Sequence, residues 1–181
     1  TDGSTMTQVA DINPGAGSSS PTSLVNLNGT LLFAATDGTA GRELWKSDGS
    51  TASMVFDISV GAGSSSPSSL TVIGANVFFS ATDGVNGVEL WKSDGLSASN
   101  VADINPLAGS SFPANLTNVN GTLFFSANNG TDGIELWKSD GTTATMVKNI
   151  NTAAATGSSP ATLTNVNGVL FFVADDGVSG R

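Results

Sequence analysis

The apolar positions of this chain fall in short runs separated by turn-forming residues, and the third quarter shows this most clearly. Residues 115–119 alternate in polarity and residues 122–127 are mostly apolar, and between them stands Asn120-Gly121, the strongest two-residue hairpin signal. A glycine-rich loop leads to residues 134–138, and a Ser-Asp-Gly turn leads to residues 145–150. The pattern predicts four short antiparallel strands.

Large apolar residues also stand next to each other within the predicted strands. Leu123, Phe124 and Phe125 are consecutive, as are Leu136 and Trp137. Neighbouring side chains in a strand point to opposite faces, so both faces of this sheet must be apolar. A sheet with one wet face would alternate apolar and polar residues. We therefore expect each sheet to be covered on both sides.

The same unit recurs along the whole chain. The phrase Glu-Leu-Trp-Lys-Ser-Asp-Gly occurs at residues 43–49, 89–95 and 135–141, in steps of 46 residues. Further landmarks keep nearly the same step: Phe33, Phe79, Phe125 and Phe172; Pro21, Pro67, Pro113 and Pro160; Ile12, Ile58, Ile104 and Ile150. A period of 20–50 residues indicates a solenoid, a propeller or another repeat array.

The predicted fold class is all-β, with a single repeat domain over residues 1–181. Four antiparallel strands in a unit of this length are typical of a propeller blade. We predict a β-propeller of about four 46-residue blades, alone or within a larger ring or array. A stacked or sandwich-like β array is the alternative. Counted from the first residue, the units are 1–46, 47–92, 93–138 and 139–181, and the last lacks its Glu-Leu-Trp-Lys strand.

The recurring phrase resembles the motif of the ELWxxDGT repeat family of bacterial proteins, and the resemblance covers all four units. The final Thr of that motif is present only at Thr142, with Ser50 and Leu96 at the other copies. The resemblance implies a propeller-like, exported or surface-associated protein. It implies no particular chemistry.

Composition excludes most common catalytic mechanisms. The chain has no Cys and no His, which removes thiolate nucleophiles, Ser-His-Asp triads and the usual zinc ligands. The net charge of −9 disfavours nucleic acid, and no apolar run is long enough for membrane insertion. We expect a protein that is not an enzyme and has no required cofactor.

The three tryptophans, one in each copy of the phrase, have two interpretations. Trp45, Trp91 and Trp137 would form sugar-stacking platforms in a lectin-like propeller, or they would fill the space between neighbouring sheets. Their position beside a leucine in mid-strand favours the second interpretation.

Acidic residues recur in the loops before and within the phrase, and they suggest a calcium hypothesis. Calcium prefers oxygen ligands, whereas Asp-Gly and Asn-Gly pairs are also what tight turns require. The candidate ligands are Asp37, Glu43, Asp83, Glu89, Asp132, Glu135 and Asp176. The dense alternating acids of a recognised calcium loop are missing.

A second set of acids, Asp48, Asp94 and Asp140, is expected to cap turns rather than bind a ligand. Lys46, Lys92 and Lys138 precede them by two residues, where surface ion pairs would contribute little to stability.

The two ends of the chain fit together in the repeat. Residues 1–3 align with residues 47–49, and residues 180–181 align with residues 41–42, so a closed four-bladed ring would lack one strand. The chain is expected to be a window from a longer array, to be completed by another copy, or to receive a strand from a partner.

These observations predict a non-enzymatic, structural or adhesive repeat segment of an extracellular or cell-surface bacterial protein. It would act through multivalent weak contacts or assembly, with other copies or further repeats as partners. A carbohydrate-binding propeller with one pocket per blade, and glycans as partners, is the alternative.

Overall fold

The computed structural model describes residues 3–153 and 155–180, which form fourteen strands. The strands are β1 (Thr22–Leu27), β2 (Thr30–Thr36), β3 (Arg42–Ser47), β4 (Ala52–Phe56), β5 (Ser68–Ile73), β6 (Asn76–Thr82), β7 (Val88–Ser93), β8 (Ala98–Ala102), β9 (Ala114–Val119), β10 (Thr122–Asn128), β11 (Ile134–Ser139), β12 (Ala144–Lys148), β13 (Ala161–Val166) and β14 (Val169–Val173). Within this part of the chain, no helix is long and apolar enough to cross a membrane.

The strands pair in chain order into antiparallel sheets. The first, second and third sheets each hold four strands, and the fourth sheet consists of β13 and β14. The strands predicted for the third unit are confirmed, since β9 to β12 start and end within a few residues of the expected bounds. Asn120 and Gly121 have φ values of 53° and 86°, as a tight hairpin turn requires.

The register of each four-stranded sheet is the same. Phe33 lies opposite Trp45 in the first sheet, and the equivalent pair in the second is Phe79 and Trp91. Each third strand has an irregularity after its leucine, where it meets the fourth strand. The repeated sequence is therefore a repeated structure down to its bulges.

The core lies between consecutive sheets. Leu32 and Leu44 of the first sheet pack in one buried cluster with Val77, Phe79 and Trp91 of the second. An equivalent cluster joins the second sheet to the third. Both faces of the second sheet are thus covered, as the consecutive apolar residues predicted.

The sheets follow one another without closing. Contacts link β1 to β5, β5 to β9 and β9 to β13, so the first strands of successive sheets are neighbours. The described residues show no closed ring. The all-β class and the repeated four-stranded sheets are confirmed, and the ring arrangement is not.

The sheets are out of phase with the units counted from the first residue, because they begin at Thr22, Ser68, Ala114 and Ala161. The fourth sheet holds two strands among the described residues, and Phe171 on β14 is 57% exposed. The alignments involving residues 1, 2 and 181 lie outside the described residues.

Candidate functional site

The glutamate of the repeated phrase is fully buried in every copy. Glu43, Glu89 and Glu135 are each 0% exposed, although glutamate is almost never buried without partners. Each stands in the third strand of its sheet, directly before a leucine of the core. A buried carboxylate at this position needs hydrogen-bond donors, and the loop that leads to the next sheet supplies them.

Glu89 shows the arrangement clearly. Its carboxylate accepts hydrogen bonds from the Ile104 main-chain N–H at 2.9 Å, the Ser111 N–H at 2.9 Å and the Ser111 hydroxyl at 2.6 Å. Hydrogen bonds to an ionised acceptor are stronger than neutral ones. The carboxylate therefore fixes two points of one loop to the start of a strand. We call this set of contacts the glutamate clamp.

The other two copies repeat the clamp. Glu43 accepts from the Ile58 N–H at 3.0 Å and from the N–H and hydroxyl of Ser65 at 2.8 and 2.5 Å. Glu135 accepts from the Ile150 N–H at 3.1 Å and from the N–H and hydroxyl of Ser158 at 2.9 and 2.5 Å. The sequence did not predict this role.

The loop comes so close to the strand that the residue before the strand must be glycine. A Cβ on Gly87 would lie 1.9 Å from the carbonyl oxygen of Gly109, which no side chain tolerates. Gly87 also has φ of 71°, where glycine is favoured. The clamp and the glycine together hold the loop against the sheet.

Burial raises the pKa of Glu43 and of Glu89, and the hydrogen bonds from Ser65 and Ser111 oppose that rise without cancelling it. The folded protein therefore holds a proton on these carboxyls more tightly than the unfolded chain, whose glutamates have the ordinary pKa of about 4.5. The contribution to stability is greatest below that value and is lost as the pH rises through the raised pKa.

We expect the melting temperature to fall as the pH is raised from about 4.5 toward neutrality, because the folded state binds more protons there. Glu89→Gln removes one of the titrating groups, so its melting temperature should change less over the same range. Thermal unfolding followed by circular dichroism at several pH values measures both slopes. If the melting temperature of Glu89→Gln fell with pH as steeply as that of the unchanged protein, Glu89 would not be one of the titrating groups.

The tryptophans are buried rather than presented to solvent. Trp45, Trp91 and Trp137 are 7%, 8% and 9% exposed. Trp91 and Trp137 belong to the clusters between sheets, and Trp45 packs with Phe33 and Ala35 of its own sheet. Their indole N–H groups have no hydrogen-bond partner among the described residues. This placement matches the space-filling interpretation, and it gives no stacking face for a sugar.

The lysines of the phrase join neighbouring sheets, instead of pairing with nearby acids. Lys46 donates to the carbonyl oxygen of Gly95 at 2.9 Å, and Lys92 donates to that of Gly141 at 2.8 Å. Each acceptor lies in the Asp-Gly turn of the next sheet. Lys138 makes no such bond within the described residues, since the fourth sheet has no third strand there.

Lys92→Met should lower the free energy of unfolding by about 1–2 kcal/mol, because the Gly141 carbonyl loses a charged donor. Lys138→Met is the matched control and should change stability by less than about 0.5 kcal/mol. Urea denaturation of the three proteins measures the difference. Equal effects of the two substitutions would show that the contact between sheets contributes nothing.

The loop acids cap turns. Asp48 accepts hydrogen bonds from the Ser50 and Thr51 N–H groups at 2.8 Å, and Asp94 and Asp140 do the same in their copies. These bonds, that of Thr51 above all, lower the pKa of Asp48. The predicted capping role is confirmed. Asp37 and Asp176 cap equivalent turns before the third-strand position.

The candidate calcium ligands are divided between the glutamate clamps and the loop turns, so they do not form one site. Glu43, Glu89 and Glu135 are held in clamps, and Asp83 accepts from the Val85 and Asn86 N–H groups at 2.8 Å. Asp132 accepts from the side-chain amides of Asn129 and Asn149. Among the described residues no three acidic side chains come together as a metal site. Calcium binding stays a prediction.

Cavities with mixed polar and apolar linings recur beside the lysines. One of about 630 Å³ is lined by Lys46, Asp48 and Thr51 together with Asp94 of the next sheet. Another, of about 240 Å³, is lined by residues at the same repeat positions: Thr122, Lys138, Ser139, Asp140, Thr143 and Thr145. Hydroxyl, carboxylate and ammonium groups there suit a polar ligand.

No known protein family matches this chain, and no curated protein is significantly similar to it. The resemblance to the ELWxxDGT repeat family therefore rests on the repeated motif alone.

Proposed function

We propose that the chain is a non-enzymatic repeat segment whose sheets form propeller blades, and that it works by assembly with further repeats or other copies. The observation that carries the proposal is the interface between consecutive sheets. It is built twice from equivalent residues. Residues of both of its halves are exposed at the ends of the sheet series, where the fourth sheet contributes two strands among the described residues.

The terminal faces support this function because they expose apolar residues whose counterparts in the inner sheets are buried or half-buried. Phe171 and Val166 of the fourth sheet are 57% and 47% exposed, and Leu24 and Leu31 of the first are 57% and 36% exposed. Exposed apolar patches of this kind mark interaction sites. Faces that match an internal interface would pair head to tail with another repeat.

The non-enzymatic role is supported by what the acids do. The glutamates accept several hydrogen bonds each in equivalent clamps, and the aspartates of the phrase cap turns. A catalytic pair needs a proton donor and an acceptor with different environments, which identical repeats do not provide. The proposal includes an exported or surface location, which the motif resemblance implies, and adhesion through several weak sites, which the repetition of one unit would allow.

The assembly is tested by measuring the native mass over a wide range of protein concentrations. We expect species heavier than the 18.1 kDa monomer, in increasing proportion at higher concentration. Replacing Phe171 with Ser on the exposed face should shift the distribution toward monomer. A compact monomer at every concentration would contradict the proposal.

A carbohydrate-binding function is the second candidate. The observation that favours it is the pair of recurring cavities, since the tryptophans are buried. A glycan array at high protein concentration would test it. Thr145→Val removes a hydroxyl from one cavity, so it should weaken any glycan signal while the fold persists. Binding unaffected by this change would exclude this cavity as the site.

A further inference from the structure

The loop over residues 11–20, before the first sheet, has the form of the loops between sheets. Its Ser19 carbonyl accepts a hydrogen bond from the Thr36 N–H at 3.1 Å, as the equivalent serines do in later loops. Ser20 has φ of 43°, and the equivalent Ser66 and Phe112 have 50° and 48°. The backbone of the loop is therefore arranged as in the clamps.

The donors of a glutamate clamp are present in this loop, and none of the described residues is their acceptor. Ile12 N–H, Ser19 N–H and the Ser19 hydroxyl stand at the repeat positions whose counterparts, Ile58 and Ser65, hold the carboxylate of Glu43. The described residues offer these three donors no hydrogen-bond partner. Their counterparts converge on one carboxylate, so these three donors favour an anionic oxygen ligand.

An apolar pocket of about 220 Å³ lies beside the donors. Ile12, Leu24, Leu31 and Phe33 contribute to its lining. Leu31 is 36% exposed there, whereas Val77, at the equivalent position in the second sheet, is fully buried. The exposed part of Leu31 is apolar surface that a bound partner would cover.

In the interface between the first and second sheets, a leucine fills the position that corresponds to this pocket. Leu44 follows Glu43 directly and packs in the cluster with Ile58, Val77 and Phe79. One strand thus places its carboxylate on the loop donors and its leucine in the adjacent apolar cluster.

The backbone beside the pocket is also suited to a strand. Residues 6–10 stand at the repeat position of β4, the strand that pairs with the third strand of its sheet. They form no strand among the described residues, and Met6 and Val9 are 93% and 43% exposed. A backbone segment without a strand partner can accept an added strand through main-chain hydrogen bonds.

We propose that this surface binds an extended strand of the Glu-Leu-Trp-Lys-Ser-Asp-Gly type. The glutamate carboxylate accepts hydrogen bonds from Ile12 N–H, Ser19 N–H and the Ser19 hydroxyl. The following leucine enters the pocket against Phe33, and the strand backbone pairs with residues 6–10. We call this surface the strand acceptor.

The strand acceptor would be one contact of the proposed assembly, so it rests on that function. Different results would contradict the two proposals. A chain that binds the strand but stays monomeric would contradict assembly and leave the strand acceptor supported. A chain that assembles but does not bind the strand would overturn the strand acceptor only.

The test uses the full chain and a fluorescent peptide of residues 88–95, with binding followed by anisotropy. We expect saturable binding, weakened tenfold or more when the peptide carries Glu89→Gln, because a charged acceptor is lost. Ser19→Ala in the protein should also weaken it tenfold or more. Ser65→Ala is the matched control, since its hydroxyl already serves Glu43, and it should leave peptide affinity unchanged.

Binding that depends on both the peptide glutamate and Ser19 supports the strand acceptor. No saturable binding would overturn it. Equal affinity of the peptide that carries Glu89→Gln would also overturn it, and this comparison requires no protein variant to fold. Binding unaffected by Ser19→Ala but abolished by Val173→Pro would place the peptide at the β14 edge and would likewise overturn it.

Discussion

Glu89→Ala should lower the free energy of unfolding by about 3–5 kcal/mol, the cost of leaving the partners of a buried charge without it. The substitution removes the acceptor of the Ile104 N–H and of both Ser111 donors, which lie in a buried position. Each unsatisfied buried donor costs about 1–3 kcal/mol. Chemical denaturation followed by tryptophan fluorescence measures the loss.

Two further variants make that experiment specific. Ser111→Ala removes one donor and should have an intermediate effect, and the double variant should lose less than the sum of the two. Asp94→Ala removes an exposed turn cap and should cost much less than Glu89→Ala. If Glu89→Ala and Asp94→Ala were equally destabilised, the glutamate clamp would not stabilise the fold.

The second large effect is expected at Trp91. Trp91→Ala should lower the free energy of unfolding by about 3–5 kcal/mol, because it empties the space between the first two sheets. Trp91→Phe keeps an aromatic ring and removes an indole N–H that has no partner among the described residues, so it should cost less than about 1.5 kcal/mol. Thermal or chemical unfolding of the pair compares them.

This contrast separates packing from ligand binding. A sugar-stacking tryptophan would be dispensable for stability, so both substitutions would then leave the unfolding transition unchanged. A large loss in Trp91→Ala also means that this variant cannot serve as a test of glycan binding with the fold intact.

The strands were predictable because their signals are local. Asn120-Gly121 defines a hairpin through two neighbouring residues, and consecutive Leu136 and Trp137 require two covered faces without knowledge of the partner sheets. The turn-capping role of Asp48 follows from the same reasoning, since its donors are two and three residues away.

The clamp was not predicted because its partners are distant in sequence and glutamate is usually exposed. Glu43 binds donors that lie 15 and 22 residues further along the chain. A signal was nevertheless present, since Ser65, Ser111 and Ser158 follow the three glutamates at nearly constant spacing. A charged residue that recurs directly before a core leucine indicates that a recurring donor stands elsewhere in the repeat.

The role of the lysines escaped prediction for a similar reason. Lys92 and its acceptor Gly141 are 49 residues apart, one repeat plus three residues, so the contact exists only between sheets. Within one repeat the nearest opposite charge is the aspartate of the turn. The pattern of a single unit therefore suggests an ion pair, and the stacked sheets favour a main-chain acceptor.

The most direct test of the structural role of the repeated glutamate is amide hydrogen exchange resolved by residue. We predict that Ile104 and Ser111 exchange only through global unfolding, because their N–H groups are held by Glu89 in a buried site. The Ile12 and Ser19 amides, whose loop has no glutamate, should exchange orders of magnitude faster. Rapid exchange at Ile104 and Ser111, equal to that at Ile12 and Ser19, would contradict the glutamate clamp.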